Sequence, residues 1–221
     1  MLLCLALLGM ACNKSETPGS GTSGAAQPPS EGTPAFTFTV ERITPYTAAP
    51  GKLPKGVPPE VQKASDDISA DMSAMFTSGF LDPENWQNGS YDSYFSHYDQ
   101  KAGAQAKTEV DQLTAGTGAG EMYDDIQPGF AHLNTKVMVD EKGKPVLGVA
   151  IVEFNATATG TDGADTNLHA EGQFFMQPDG GGWKIFAYDA DRQDGGDIPD
   201  ATGSTDTKPE DKKKSDKDET S

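Results

Sequence analysis

Residues 130–154 read FAHLNTKVMVDEKGKPVLGVAIVEF. Apolar and polar side chains alternate on both sides of DEKGKP, which is the pattern of two half-buried strands joined by a tight turn. With Lys142-Gly143 as a two-residue turn, paired residue numbers sum to 285. Ala131, Leu133, Val137 and Val139 then face Phe154, Val152, Gly148 and Val146. That face carries no charge, so the side-chain pattern supports the same register as the turn. The opposite face sets His132, Asn134, Lys136 and Met138 beside Glu153, Ile151, Val149 and Leu147.

Working outward, two more strands follow this hairpin. The four are expected at about 129–140, 145–158, 166–177 and 182–191, with QPDGGG as the turn between the last two. In the third, Leu168, Ala170, Gly172, Phe174 and Met176 form a core row, and His169, Glu171 and Gln173 a polar one.

Helical patterns precede the strands. Val61, Ala64, Ile68, Met72, Met75, Phe76 and Gly79 recur at steps of three and four and form one apolar stripe, with Pro58 and Pro59 at the first turn. Asp66, Asp67 and Asp71 fall on its wet side. Asp82 before Pro83 marks another helix start. The aromatic run Trp86, Tyr91, Tyr94, Phe95 and Tyr98 reads as a short helix or loop covering one end of the core, with His97 inside it. A weaker helix follows and ends among Gly116, Gly118 and Gly120, which no strand precedes and no Lys-Ser/Thr follows, so they form no phosphate cradle.

Helices first and strands afterwards mean an α+β domain, with N-terminal helices packed on one face of a curved antiparallel sheet of four strands or more. The domain is expected over 57–192. Residues 13–56 read as a Gly/Ser/Pro-rich tether with a candidate strand at 35–44. Residues 193–221 read as a charged tail with too few apolar side chains to offset the entropy of ordering.

Of the 34 acidic and 17 basic residues, 25 acidic and 8 basic lie between 57 and 200, so this region carries the whole net charge of −17. Such a surface repels phosphate backbones, and no nucleic-acid partner is expected. The two cysteines, Cys4 and Cys12, lie in the N-terminal apolar run, so the domain has no disulfide and no thiolate metal site. DADRQDGGD (189–197) offers Asp189, Asp191 and Asp194, but at a spacing one residue off a calcium loop. No cofactor and no metal site is expected.

Met1–Ala11 is uncharged and far shorter than the ~20 residues needed to cross a bilayer. The step Ala11-Cys12 resembles a bacterial lipoprotein signal, in which a small residue precedes a cysteine that is acylated. Gly9 stands where that family prefers Leu, with Leu8 one place further back, and the positive leader is missing. The full signal is therefore expected to begin upstream of Met1. Cys4 has too little apolar sequence before it to serve. The resemblance implies a lipid anchor on Cys12, a membrane partner and an extracytoplasmic location.

The order of elements and the final strand GGWKIFAYDADR (181–192) resemble the nuclear-transport-factor-2-like family. They also resemble actinobacterial proteins that accompany mammalian-cell-entry lipid-uptake systems. The resemblance implies a cone-shaped domain. Enzymes of that family place a carboxylate or His inside the cone, and the nearest candidate here is His132 opposite Glu153, which the register puts on the face away from the uncharged one. A catalytic role for this pair is a weak reading beside a cross-strand surface pair.

Met138, Leu147, Val149 and Ile151 form an apolar cluster on that second face. They are the candidate binding residues for an envelope protein or a second copy, unless the 35–44 strand covers them. The favoured expectation is an accessory protein without catalysis that binds a partner protein or a small apolar ligand. An isomerase-, dehydratase- or cyclase-like enzyme and an envelope spacer are the alternatives.

Overall fold

The computed structural model describes residues 32–47 and 56–195. The signal segment with Cys4 and Cys12, most of the tether and the charged tail beyond Gly195 lie outside the described residues; Gln193 and Asp194, expected in the tail, belong to the last strand. The fold is α+β: a curved five-stranded sheet in the order β1-β2-β3-β4-β5, with the helices packed against one face. The strands are β1 (Thr39–Thr47), β2 (Tyr123–Val139), β3 (Pro145–Gly160), β4 (Asp165–Asp179) and β5 (Gly182–Asp194).

The sheet is mixed, which corrects the all-antiparallel expectation. β2 to β5 form an antiparallel meander, but β1 lies parallel to β2, from Thr39 opposite His132 to Thr47 opposite Val139. The candidate strand at 35–44 thus starts four residues later and ends three later, and belongs to the domain. It flanks β2 instead of covering the Met138 cluster. A bulge between Val40 and Arg42, together with Pro45 and the charges of Glu41 and Arg42, blunts this edge against further pairing.

The β2–β3 register holds from Ala131↔Phe154 to Met138↔Leu147. It slips at the tip, where Val139 pairs with Pro145 and not Val146. The loop is longer than two residues: Asp140 N–H donates to Lys144 O at 2.9 Å, and Gly143 N–H to Asp140 O at 3.0 Å. Gly143 sits at φ 82°, the left-handed position that such a bulged turn needs. The Asp140 carboxylate accepts from Lys142 N and Lys144 N, both at 2.9 Å, and these bonds lower its pKa.

The helix α1 (Pro59–Phe76) continues into a π-turn at Thr77–Leu81, whose closing bond runs from Asp82 N–H to Thr77 O at 2.8 Å. Its apolar stripe is buried against the sheet. Two serines on the same helix satisfy polar groups inside that contact. Ser65 and Thr135 share a hydrogen bond of 2.7 Å, and Ser73 Oγ accepts from Phe38 N at 3.1 Å while donating to Ser69 O. A buried hydroxyl left alone would cost about 1–3 kcal/mol, so these pairs permit polar residues in the core.

Asp71 is not on the wet side. It accepts from Trp183 N at 3.1 Å and ties α1 to the start of β5; burial raises its pKa. Asp67 stays outside and pairs with Lys63 at 2.6 Å.

The short helices α2 (Pro83–Asn88), α3 (Asp92–Phe95), α4 (Gln100–Ala106), α5 (Val110–Leu113) and α6 (Ala119–Met122) complete the cap. Asp82 caps α2 by accepting from Glu84 N at 3.1 Å. The glycine-rich break serves packing: a Cβ on Gly120 would lie 2.3 Å from Gln87 O, so α6 reaches α2 only through a glycine.

Inside the concave face six phenylalanines interlock. Phe76 stacks on Phe80 at 5.5 Å and meets Phe38, Phe154 and Phe174 edge-on or tilted at 5.0–6.1 Å, while Phe36 closes on Phe154 at 5.4 Å.

At the far end Arg192 is the latch. Its side chain is 11% exposed; Nη1 donates to Thr114 O and Nη2 meets Asp194 Oδ2 at 2.8 Å. Nearby, Tyr91 OH donates to Gly116 O at 2.8 Å, and burial pushes its pKa up to about 12. Arg192→Met keeps the stem and removes the donors. We expect it to cost about 2 kcal/mol, read from urea midpoints, because Thr114 O would lose a charged donor. A loss under about 0.5 kcal/mol would mean that the latch holds nothing.

Candidate functional site

The outer face of the sheet carries the residues singled out in the sequence. β2 and β3 bring His132 and Glu153 opposite each other, as the register requires. They do not form a closed dyad. His132 Nδ1 lies 3.0 Å from Glu41 Oε1 of β1, without the angle of a hydrogen bond, and pairs with it electrostatically only when protonated. Glu153 is exposed, and neither residue lines a cavity. A general base needs a substrate pocket within hydrogen-bond reach; here Glu153 faces solvent while His132 is half-buried with its Nδ1 covered.

His169 lies further along the same face, with Nδ1 3.3 Å from Asn155 Oδ1 and Nε2 3.8 Å from Glu171. Asp189 and Asp191 point out from β5 beside Gln173 and Glu171, whereas Arg192 turns inward with Asp194. Asp189, Asp191 and Asp194 therefore belong to the strand β5. Among the described residues no cluster of three or more His, Cys, Asp or Glu could hold a metal ion.

Met138, Leu147, Val149 and Ile151 are adjacent on this face, each half-buried by its neighbours and covered by no helix among the described residues. The structure extends the cluster at both sides. Tyr46 pairs with Met138 on β1 and is 42% exposed; Phe175 pairs with Val149 on β4, its ring 6.4 Å from Phe186. Lateral strand pairing brings these residues together. Sequence alternation gave the four on one hairpin and could not give the others.

A second feature was not read from the sequence. On the helical side a cavity of about 740 Å³ opens between Phe36-Thr37, the outer side of α1 with its π-turn, α2 and α3. Its walls mix apolar surface, including Phe36, Ala70 and Ala74, with short polar side chains: Ser73, Thr77, Ser78, Ser90 and Ser93, with Asn85 and Asn88, and Asp82, Glu84 and Asp92 among them. Asn85 Nδ2 donates to Ser78 O at 2.9 Å and to Ser93 Oγ at 3.1 Å, so one amide links the π-turn to α3. His97 also lines the cavity. It is 8% exposed, and desolvation, with help from the charge of Lys184, pushes its pKa down to about 4. The one available signal was the density of Ser and Asn among the aromatics of 78–97, which also fits a plain loop.

No helix among the described residues is long and apolar enough to cross a membrane. Comparison with protein-family models, with curated proteins and with solved structures finds no match to this chain.

Proposed function

We propose that this chain is a non-catalytic accessory protein, held at the extracytoplasmic face of a membrane by lipid on Cys12, that makes its protein contact through the outer face of the sheet. A nuclear-transport-factor-2-like cone is the finer description of the fold under this reading. The observation that carries the proposal is the apolar strip from Tyr46 to Phe186, which the cap leaves uncovered. The phenylalanine cluster fills the concave side, which favours the outer face over the cone interior as the binding surface.

Charge placement argues for a second copy of this chain as the occupant. Arg42, Asn134, Ile151, Gln173 and Asp189 form one lateral row across all five strands. The cations Arg42 and Lys136 lie at the β1–β2 side, with Glu41 held beside His132, and the carboxylates Glu171, Asp189 and Asp191 at the β4–β5 side, with Glu153 between them on β3. A twofold axis along β3 sets Arg42 of one copy against Asp189 of the other, with Val149 and Ile151 at the centre. This is a self-complementary arrangement.

Two measurements test the proposal. Full-length wild type made in a bacterial host should gain a diacylglyceryl-sized mass and partition to membranes, and Cys12→Ser should do neither. An unlipidated wild type would remove the anchor. The soluble Cys12→Ser chain should then sediment as a dimer at roughly 10–100 µM. Adding Val149→Asp should give monomers. Arg42→Glu should weaken the dimer and Asp189→Arg in the same chain restore it. A monomer throughout that range, or a dimer indifferent to these changes, would overturn the contact.

A further inference from the structure

We infer that the cavity between Phe36, α1, the π-turn, α2 and α3 is a binding site for a neutral saccharide of about two sugar rings. This goes beyond the sheet-face contact, and either could fail without the other.

Size comes first. About 740 Å³ lies inside the range of small-molecule sites, about 300–1,000 Å³. The chemistry of the lining then narrows the class. The cavity is lined by serine and threonine hydroxyls and by two asparagines, groups that both donate and accept, as sugar hydroxyls do. Several of them have hydrogen-bonding capacity to spare. The hydroxyls of Thr37 and Ser90, the carbonyl oxygens of Asn85 and Asn88 and the imidazole of His97 make no hydrogen bond among the described residues. No Lys or Arg lines the cavity, while Asp82, Glu84 and Asp92 do, so an anion would be repelled. A fatty chain would strand these polar groups without partners. Phe36, half-buried beneath Phe38 and Phe154, supplies one aromatic wall on which the apolar face of a pyranose can lie.

The backbone is shaped for the same place. The π-turn widens the end of α1 at Thr77 and Ser78, which are both in the lining. Such single π-turns are often found at functional sites. Asn85 braces the turn against α3, so the opposed walls are fixed before a ligand arrives.

The test is calorimetric titration of the full-length Cys12→Ser chain with maltose, cellobiose and diacetylchitobiose, and with glucose 6-phosphate as the anionic comparison. At least one disaccharide should bind, and the sugar phosphate should not. Ala70→Trp, on the exposed side of α1, should block the cavity and weaken binding by about tenfold or more without lowering thermal stability. Phe36→Ala should weaken it similarly by removing the aromatic wall. Failure of all three disaccharides at roughly 20 mM, equal binding of the phosphate, or binding untouched by Ala70→Trp would overturn the inference.

Discussion

Phe76→Ala should remove about 3–5 kcal/mol of stability, the usual cost of emptying a phenylalanine site in a packed core. Phe76 is 2% exposed and touches four other rings, from α1's own continuation (Phe80) to β3 (Phe154), β4 (Phe174) and the lead-in to β1 (Phe38). Those four groups belong to separate stretches of the chain, so no local movement can close the hole. Domains of this size have about 5–15 kcal/mol in total, and the variant would sit near the folding threshold. Urea unfolding of the full chain measures it, and Phe76→Leu, which retains most of the volume, should cost only about 1.5 kcal/mol. A loss below about 1 kcal/mol for the alanine variant would show that the cluster does not organise the core.

Acidification should destabilise the protein through His97. In the native state desolvation, then the Lys184 charge, hold its pKa at about 4, against 6.5 for the free side chain. Between these values the unfolded chain binds a proton that the native chain does not, so stability is full above about pH 6.5 and falls as pH drops. The slope approaches 1.4 kcal/mol per pH unit and the total is on the order of 3 kcal/mol. Asp71 works in the opposite direction. Its pKa is raised from 3.8, chiefly by burial, so the native state keeps that proton longer and stability falls as pH rises above 3.8. Urea midpoints from pH 4 to 8 should therefore show a slope that His97→Gln removes and Asp71→Asn steepens. A wild-type slope that survives His97→Gln would assign the acid sensitivity elsewhere.

Much of the domain was legible where a local period met a local turn. The β2–β3 hairpin, the buried stripe of α1 and the Asp82 cap all follow from residues within a few positions of each other. The parallel seat of β1 did not, because a lone alternating stretch does not state which strand it will join. Asp71 was placed on the wet side because helical spacing cannot foresee a backbone N–H arriving from Trp183, 112 residues away. The cavity escaped for a related reason. Its walls come from several elements, none of which carries a motif, and small polar residues look the same in a solvated loop. Arg192 was legible only as the last residue of the final strand; its latch role was not, since its partner Thr114 O is a backbone atom in a distant turn.

The parallel edge strand also sets a timetable. Thr39 finds its partner at His132, 93 positions later, whereas the other strands meet their neighbours across hairpins. During synthesis β1 must therefore wait, unpaired, until most of the domain has emerged, and the long closure slows its docking. The meander and cap can assemble first, leaving β2 with a bare flank that β1 seals last. A chain with its meander formed and β1 not yet docked would expose that flank, and this is the moment at which two copies could exchange their first strands.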